Sequence, residues 1–259
     1  MKLIDAHIHL SDLEYTQHTD ELIADAKNSG VEALVSNSTD FGTSVATLQL
    51  AEKNPNLVYP ALGIHPWNVD VLKDSELEDT LKLIDDQSKL KTIVAIGEIG
   101  LDSKYEKTWE KQLEIFGKML QMAEKANLPV IVHSRGTTEK IVDMLPSYRL
   151  KGVLLHWFSN PLVALSKAVE HGYLITEGPP ALYSSGIREV VDRVPLANLL
   201  TETDGPVKYY KHPFNGQLTK PSFVRLVVEA VAGIKKMSVP EVAGQIVCNF
   251  EKFFSVNLC

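Results

Sequence analysis

The stretch "LIDAHIHLSD" at residues 3–12 puts Asp5, His7 and His9 at alternate positions of the first apolar run. In a strand, side chains at i, i+2 and i+4 share one face, so these three point one way while Ile4, Ala6 and Ile8 point the other. An ordinary core strand fills such positions with hydrocarbon. A lone histidine in a core strand is more often a hydrogen-bonded structural residue than a ligand. Two inward imidazoles on one face are costly to bury without a common partner, and a divalent metal suits them.

Working outward, short apolar runs recur along the chain: "KLIDAHIH", "ALVSNS" at 33–38, "LVYPALGIHP" at 57–66, "TIVAIGEIG" at 92–100, "PVIVHS" at 129–134, "GVLLHWF" at 152–158, "YLITEG" at 173–178 and "LLTETD" at 199–204. Between them lie segments of helical period, such as 17–29, 43–53, 106–126, 137–145 and 160–170, some closed by glycine as at Gly30 and Gly172. The repeat is about 28 residues, the size of one βα unit. Alternating β and α with nearly continuous apolar strands implies a parallel sheet buried on both faces. Eight such units predict an α/β fold, a closed (β/α)8 TIM barrel, as a single domain over residues 1–259 with its site at the C-terminal rim of the strands. A dinucleotide-binding sheet lacks its glycine fingerprint here, since "GIHPWN" and "GEIGLD" place glycine in other contexts. After the eighth run come "VKYYKHPFNGQLTKPS" and two further helical stretches near 221–235 and 238–255, the last opening with Ser238 and Pro240.

With 259 residues, 44% hydrophobic and 23% charged, the chain can bury a sizeable core. Its formal charge of −7 argues against a protein that coats nucleic acid, which is normally basic, while leaving room for phosphate held through a metal. Cys248 and Cys259, the two cysteines, have no zinc-knuckle or disulfide-framework spacing. No run approaches the ~20 apolar residues of a membrane span, and no signal-peptide apolar region opens the chain. The expectation is a cytoplasmic monomer without a membrane partner.

Five of the eight histidines, His7, His9, His65, His133 and His156, fall at ends of the proposed strands, where random placement would put roughly one. Glu98 after the fourth strand, and Glu202 and Asp204 after the eighth, join them. Imidazole and carboxylate converging on one rim suit Zn²⁺, Mn²⁺ or Fe²⁺, and Mg²⁺ where oxygen ligands dominate. Asp5, one layer deeper than His7 on the same face, reads as a group that orients an imidazole N–H. Arg135 is placed to clamp an anionic substrate, and Trp67 and Trp157 to stack on a base.

Taken together, "DAHIHL", "GIHP", "AIGEIGLD", "PVIVHSR", "HWFS" and "LLTETDGP", in this order, resemble the TatD family of metal-dependent deoxyribonucleases within the amidohydrolase-like barrels. The resemblance implies two divalent ions (Mg, Mn or Zn). One would be held by His7, His9, Glu98 and Asp204, and the other by Glu98, His133 and His156, with Glu98 bridging. It also implies that His65 and Glu202 line the site, and that Asp204, Glu98, His65 and Glu202 are the catalytic groups. The substrate so implied is DNA ends or oligonucleotides, cleaved by a metal-activated water with Asp204 accepting its proton. The chain departs from the family pattern after "TDGP": "NGQLTKPS" replaces a more basic stretch, leaving Lys208, Lys211, His212, Lys220 and Arg135 as phosphate contacts. The same metals and the net acidity also suit an amidohydrolase acting on C–N or C–O bonds of a small acidic metabolite. A binding module without catalysis suits the open ligand set less well.

Overall fold

The computed structural model describes residues 1–159 and 161–258, so Asn160, at the expected start of the 160–170 helix, and Cys259 lie outside the described residues. Eight strands form one parallel sheet in sequence order: β1 Leu3–Ile8, β2 Val31–Asn37, β3 Val58–Leu62, β4 Ala95–Gly100, β5 Val130–His133, β6 Val153–Leu155, β7 Leu174–Glu177 and β8 Leu199–Thr201. Their residues are buried almost without interruption, because interior side chains face one another inside the barrel while the outer face is roofed by helices.

The sheet curls until β8 meets β1, and this seam is tied by backbone groups at the site end. Asp204 N–H donates to the His7 carbonyl at 2.9 Å, and His9 N–H to the Gly205 carbonyl at 2.8 Å. Lower down, Thr201 Oγ1 donates to the Ile4 carbonyl at 2.8 Å. Two ends of the chain's βα series therefore meet where the first histidine pair emerges.

The helices are α1 Thr19–Ser29, α2 Phe41–Lys53, α3 Asp74–Leu90, α4 Trp109–Ala126, α5 Thr138–Met144, α6 Leu162–Glu170, α7 Ser185–Arg193, α8 Val224–Lys235 and α9 Val239–Phe254. Local chemistry sets several boundaries. Asp40 and Thr43 form a reciprocal capping box at α2, as Ser238 and Glu241 do at α9, where Pro240 occupies the first turn. Gly30 ends α1 at φ 81°, a conformation an L side chain resists. The segment expected as helix from residue 106 begins at Trp109, because 103–108 forms a tighter turn that Asp102 caps. The helices α3 and α7 lie outside the segments of helical period named from the sequence, and both are rich in charge. Leu77, Thr80 and Ile84, and Ile187, Val190 and Val191, are the buried stripes that dock them.

The last helix is bolted to the last strand. Asn249 Nδ2 donates to the carbonyls of Leu196 (2.7 Å) and Leu199 (2.8 Å) from a nearly buried position. Replacing it with Ala strands two acceptors, at ~1–3 kcal/mol for each buried group left unpaired. The expected outcome for Asn249→Ala is a loss of about 2–6 kcal/mol, read as a fall in urea midpoint at constant m-value; an unchanged midpoint contradicts the role given to the pair.

Candidate metal centre

The site assembles around one carboxylate. Glu98 lies inside β4, rather than past its end as the sequence suggests, and it is 1% exposed. Gly63 makes room beside it: a Cβ there would meet the Glu98 carbonyl oxygen at 2.6 Å and the Ile99 side chain at 2.8 Å. Five imidazoles face the Glu98 carboxylate. Its Oε2 is 3.3 Å from His7 Nε2 and 3.1 Å from His9 Nε2, and its Oε1 is 3.2 Å from His65 Nε2, 3.0 Å from His133 Nδ1 and 2.8 Å from His156 Nε2. Asp204 Oδ1 completes the group at 3.5 Å from His7 Nε2 and 3.6 Å from His9 Nε2.

These distances place nitrogen and oxygen lone pairs against each other. His7 Nε2 and His9 Nε2 are only 3.2 Å apart, with Glu98 and Asp204 oxygens beside both. Three sets of donor atoms each lie within 4.8 Å of one another: His7, His9 and Asp204; His7, Glu98 and His156; and His65, Glu98 and His133. Such a donor set fits borderline divalent cations, whose charge and acceptor orbitals would take the facing lone pairs.

Electrostatics follow from this packing. Burial opposes ionisation of Glu98, yet the imidazoles of His65, His156 and His7 and the hydrogen bond from His133 outweigh it and hold its carboxyl well below the ordinary range. Burial likewise disfavours the Asp204 carboxylate, and His9, His156 and His7 overcome it, so its pKa is also lowered. Burial works against a charged His9, but Asp204 and Glu98 push it up to about 10. His65 goes the other way, down to about 4, because desolvation prevails over its contact with Glu98. Its Nδ1 accepts the Trp67 backbone N–H at 3.2 Å, which leaves the proton on the Nε2 that faces Glu98.

Positioning contacts come from behind the ring. His9 Nδ1 sits 3.0 Å from the Asn37 carbonyl, which takes the N–H and turns Nε2 inward. His7 stacks on His156, with centroids 3.9 Å apart and planes 6° from parallel. Glu202 is fully buried behind His156, 3.5 Å from its Nδ1, and it does not reach the cavity. Asp5 departs from expectation. Its carboxylate touches no imidazole; Oδ1 takes the backbone N–H of His7 (3.3 Å) and Thr203 (3.0 Å), and Oδ2 takes the Thr203 hydroxyl (2.5 Å). It braces the β1–β8 seam, because its place one layer below His7 puts it level with backbone.

Asp102, two residues past β4 in "GLD", is a site group not among the strand-end ligands expected from the sequence. It is 2% exposed, and its Oδ2 lies 3.0 Å from His133 Nε2, so the Nδ1 of the same ring faces Glu98. The available signal was a carboxylate one turn beyond a strand already carrying Glu98.

Above the ring opens a pocket of about 820 Å³. Trp67, Trp157 and Tyr210 line it, and Trp67 packs on His65 with centroids 3.9 Å apart while staying 43% exposed. Arg135 lies on its wall, exposed. Lys208 also lines it, but its Nζ is 2.9 Å from Glu14 Oε2. Lys220 pairs with Glu21 instead, and Lys211 and His212 are exposed away from the lining.

A parallel barrel with imidazoles and carboxylates gathered at the C-terminal mouth defines the class of metal-dependent hydrolases built on this scaffold. The family model of TatD-related DNases matches residues 4–255, and the chain belongs to that family, whose enzymes act on ester bonds. It is similar to the metal-dependent hydrolase MJ1582 of Methanocaldococcus jannaschii, 34% identical over 258 residues, covering 100% of this chain and 99% of that one. It is 30% identical to the human deoxyribonuclease TATDN3, over 97% of this chain and 94% of the relative. The crystal structure of the TatD homologue YjjV of Escherichia coli K12 superposes with a TM-score of 0.91 at 30% identity, covering 98% of each chain. Among the described residues, no helix is long and apolar enough to cross a membrane.

Two measurements check this centre. Adding a divalent ion to chelator-stripped protein is expected to raise its melting temperature, by a stabilisation of about 2.7 kcal/mol at a hundredfold excess over Kd; no shift with any of Mg²⁺, Mn²⁺ or Zn²⁺ contradicts the donor set. Asp102→Ala is expected to weaken ion binding about ten- to a hundredfold in calorimetric titrations, with Asp102→Asn, which keeps an acceptor, weakening it less.

Proposed function

We propose that the chain hydrolyses phosphodiester bonds of DNA, releasing nucleotides from single-stranded ends. The observation that carries this is a buried ring of five imidazoles and two carboxylates at the foot of an open, aromatic-walled pocket. Family membership and the deoxyribonuclease relative support it.

Two divalent ions, Mg²⁺, Mn²⁺ or Zn²⁺, are assigned to the ring. One would be held by His7, His9, Glu98 and Asp204, the other by Glu98, His133 and His156. Bound there, such ions polarise a phosphoryl oxygen and lower the pKa of a coordinated water from 15.7 towards about 7. The side chains do the rest. Asp204 stays ionised at neutral pH and opens onto the pocket, so one carboxylate oxygen is available to take the proton of the attacking water. Its position is set by the N–H it donates to the His7 carbonyl and by a left-handed backbone, φ 49°, that only surrounding structure can maintain.

His65 stays neutral and donates its Nε2 proton to Glu98 Oε1, 3.2 Å away, which orients that carboxylate. Glu202 lies behind His156, its negative charge 3.5 Å from Nδ1. Arg135 gives a bidentate contact to the substrate phosphate, and the exposed face of Trp67 a platform for the terminal base.

The test is a time course on 5′- and 3′-labelled single-stranded oligonucleotides with added Mg²⁺, Mn²⁺ or Zn²⁺. Asp204→Asn is expected to lower the rate about a thousandfold, and His133→Ala to abolish nucleotide release, both with unchanged circular dichroism. Wild-type turnover of a lactone or dihydropyrimidine beside an inert oligonucleotide replaces this reading with the small-metabolite one.

A further inference from the structure

The pocket's rim is unusual for a site that meets a polyanion. Two cations line it, Arg135 and Lys208, and two carboxylates, Asp12 and Glu14, line it with them. Asp12 is fixed as the cap of the turn Leu13–Tyr15, where its Oδ1 takes the Glu14 N–H at 2.8 Å. Glu14 then reaches from that turn, which follows β1, to Lys208 in the segment following β8, closing a 2.9 Å ion pair on the seam side of the rim. Both partners keep roughly half their side-chain surface, 54% for Glu14 and 41% for Lys208. Among the described residues Arg135 makes no ion pair. A strand leaving the pocket therefore meets one free guanidinium and an acidic turn. The apolar resources of the mouth are intact, with Trp67 and Tyr210 43% and 77% exposed.

Affinity for a long single strand grows with the number of phosphates neutralised, whereas stacking on one or two rings rewards only the bases that touch them. We propose that the Glu14–Lys208 ion pair sets the length of nucleic acid the site engages, restricting contact to the terminal nucleotide and its adjoining phosphate and disfavouring the body of a long strand. Glu14 acts twice, occupying Lys208 and adding a negative charge along the exit path. The pair is exposed, so its effect is a several-fold selectivity between substrates and not a contribution to folding. The inference rests on the nucleic-acid reading of the pocket given above.

The experiment measures binding separately from cleavage. Anisotropy of labelled phosphorothioate strands, a thymidine dinucleotide and a strand of about twenty nucleotides, is followed with Mn²⁺ present between about 50 and 200 mM salt. Wild type is expected to bind both with similar affinity and with a shallow salt slope, about −0.7 for one phosphate. Glu14→Gln is expected to favour the long strand over the dinucleotide by about three- to fivefold and to steepen the long strand's slope by about 0.7. Adding Lys208→Gln to that variant is expected to remove the gain. A wild-type slope corresponding to four or more phosphates, or a Glu14→Gln protein with unaltered length preference, overturns the proposal. Unmodified strands run in parallel separate the two ideas: binding with the expected selectivity but no cleavage defeats the proposed reaction and leaves the rim's role standing, whereas absence of binding to either strand defeats both.

Discussion

One buried carboxylate organises this protein. An isolated Glu98 anion inside a barrel would cost several kcal/mol in lost hydration, and it is tolerable here because five imidazoles surround it within 3.3 Å. Those rings come from β1, β5 and the segments that follow β1, β3 and β6, so the compensation exists only when distant parts of the chain have closed into one cylinder. In exchange, the same convergence places lone pairs where a cation fits them. Folding and the capacity to bind metal are thus one packing problem.

The seam between β1 and β8 is the second constraint. His7 and His9 emerge on one side of it and Asp204 on the other, and the backbone bonds that close the barrel are made by these residues or their neighbours. Asp5 contributes through the backbone of His7 and Thr203, not through an imidazole, so its influence on the centre is geometric. A closure error of one residue would turn either the histidines or the aspartate away from the cavity, because strand side chains alternate faces.

Above the centre, charge is balanced differently. The ring below holds its groups in fixed states, with His65 pushed towards neutrality, Glu98 and Asp204 towards the anion and His9 towards the cation. At the rim two cations face two carboxylates in solvent, with Glu14 and Lys208 paired, and aromatic faces supply much of the remaining surface.

Much of this was written in the order of residues. The eightfold alternation of apolar run and helix, repeated every ~28 residues, dictates a parallel barrel because buried strands and amphipathic helices have few other ways to share a core. The histidines at strand ends identify which rim carries the chemistry, since barrel strands end at a common mouth. The helices α3 and α7 were less legible because charged residues dominate both, although Leu77, Leu81 and Ile84, and Ile187, Val190 and Val191, pack on the core. What only the tertiary structure decided was partnership. Asp102 takes His133, Asp5 takes backbone, Glu202 sits behind His156, and Lys208 is held by Glu14. Sequence position places a residue at a rim, but hydrogen-bond partners three ångströms away across neighbouring strands depend on barrel curvature and stagger, which no local pattern encodes.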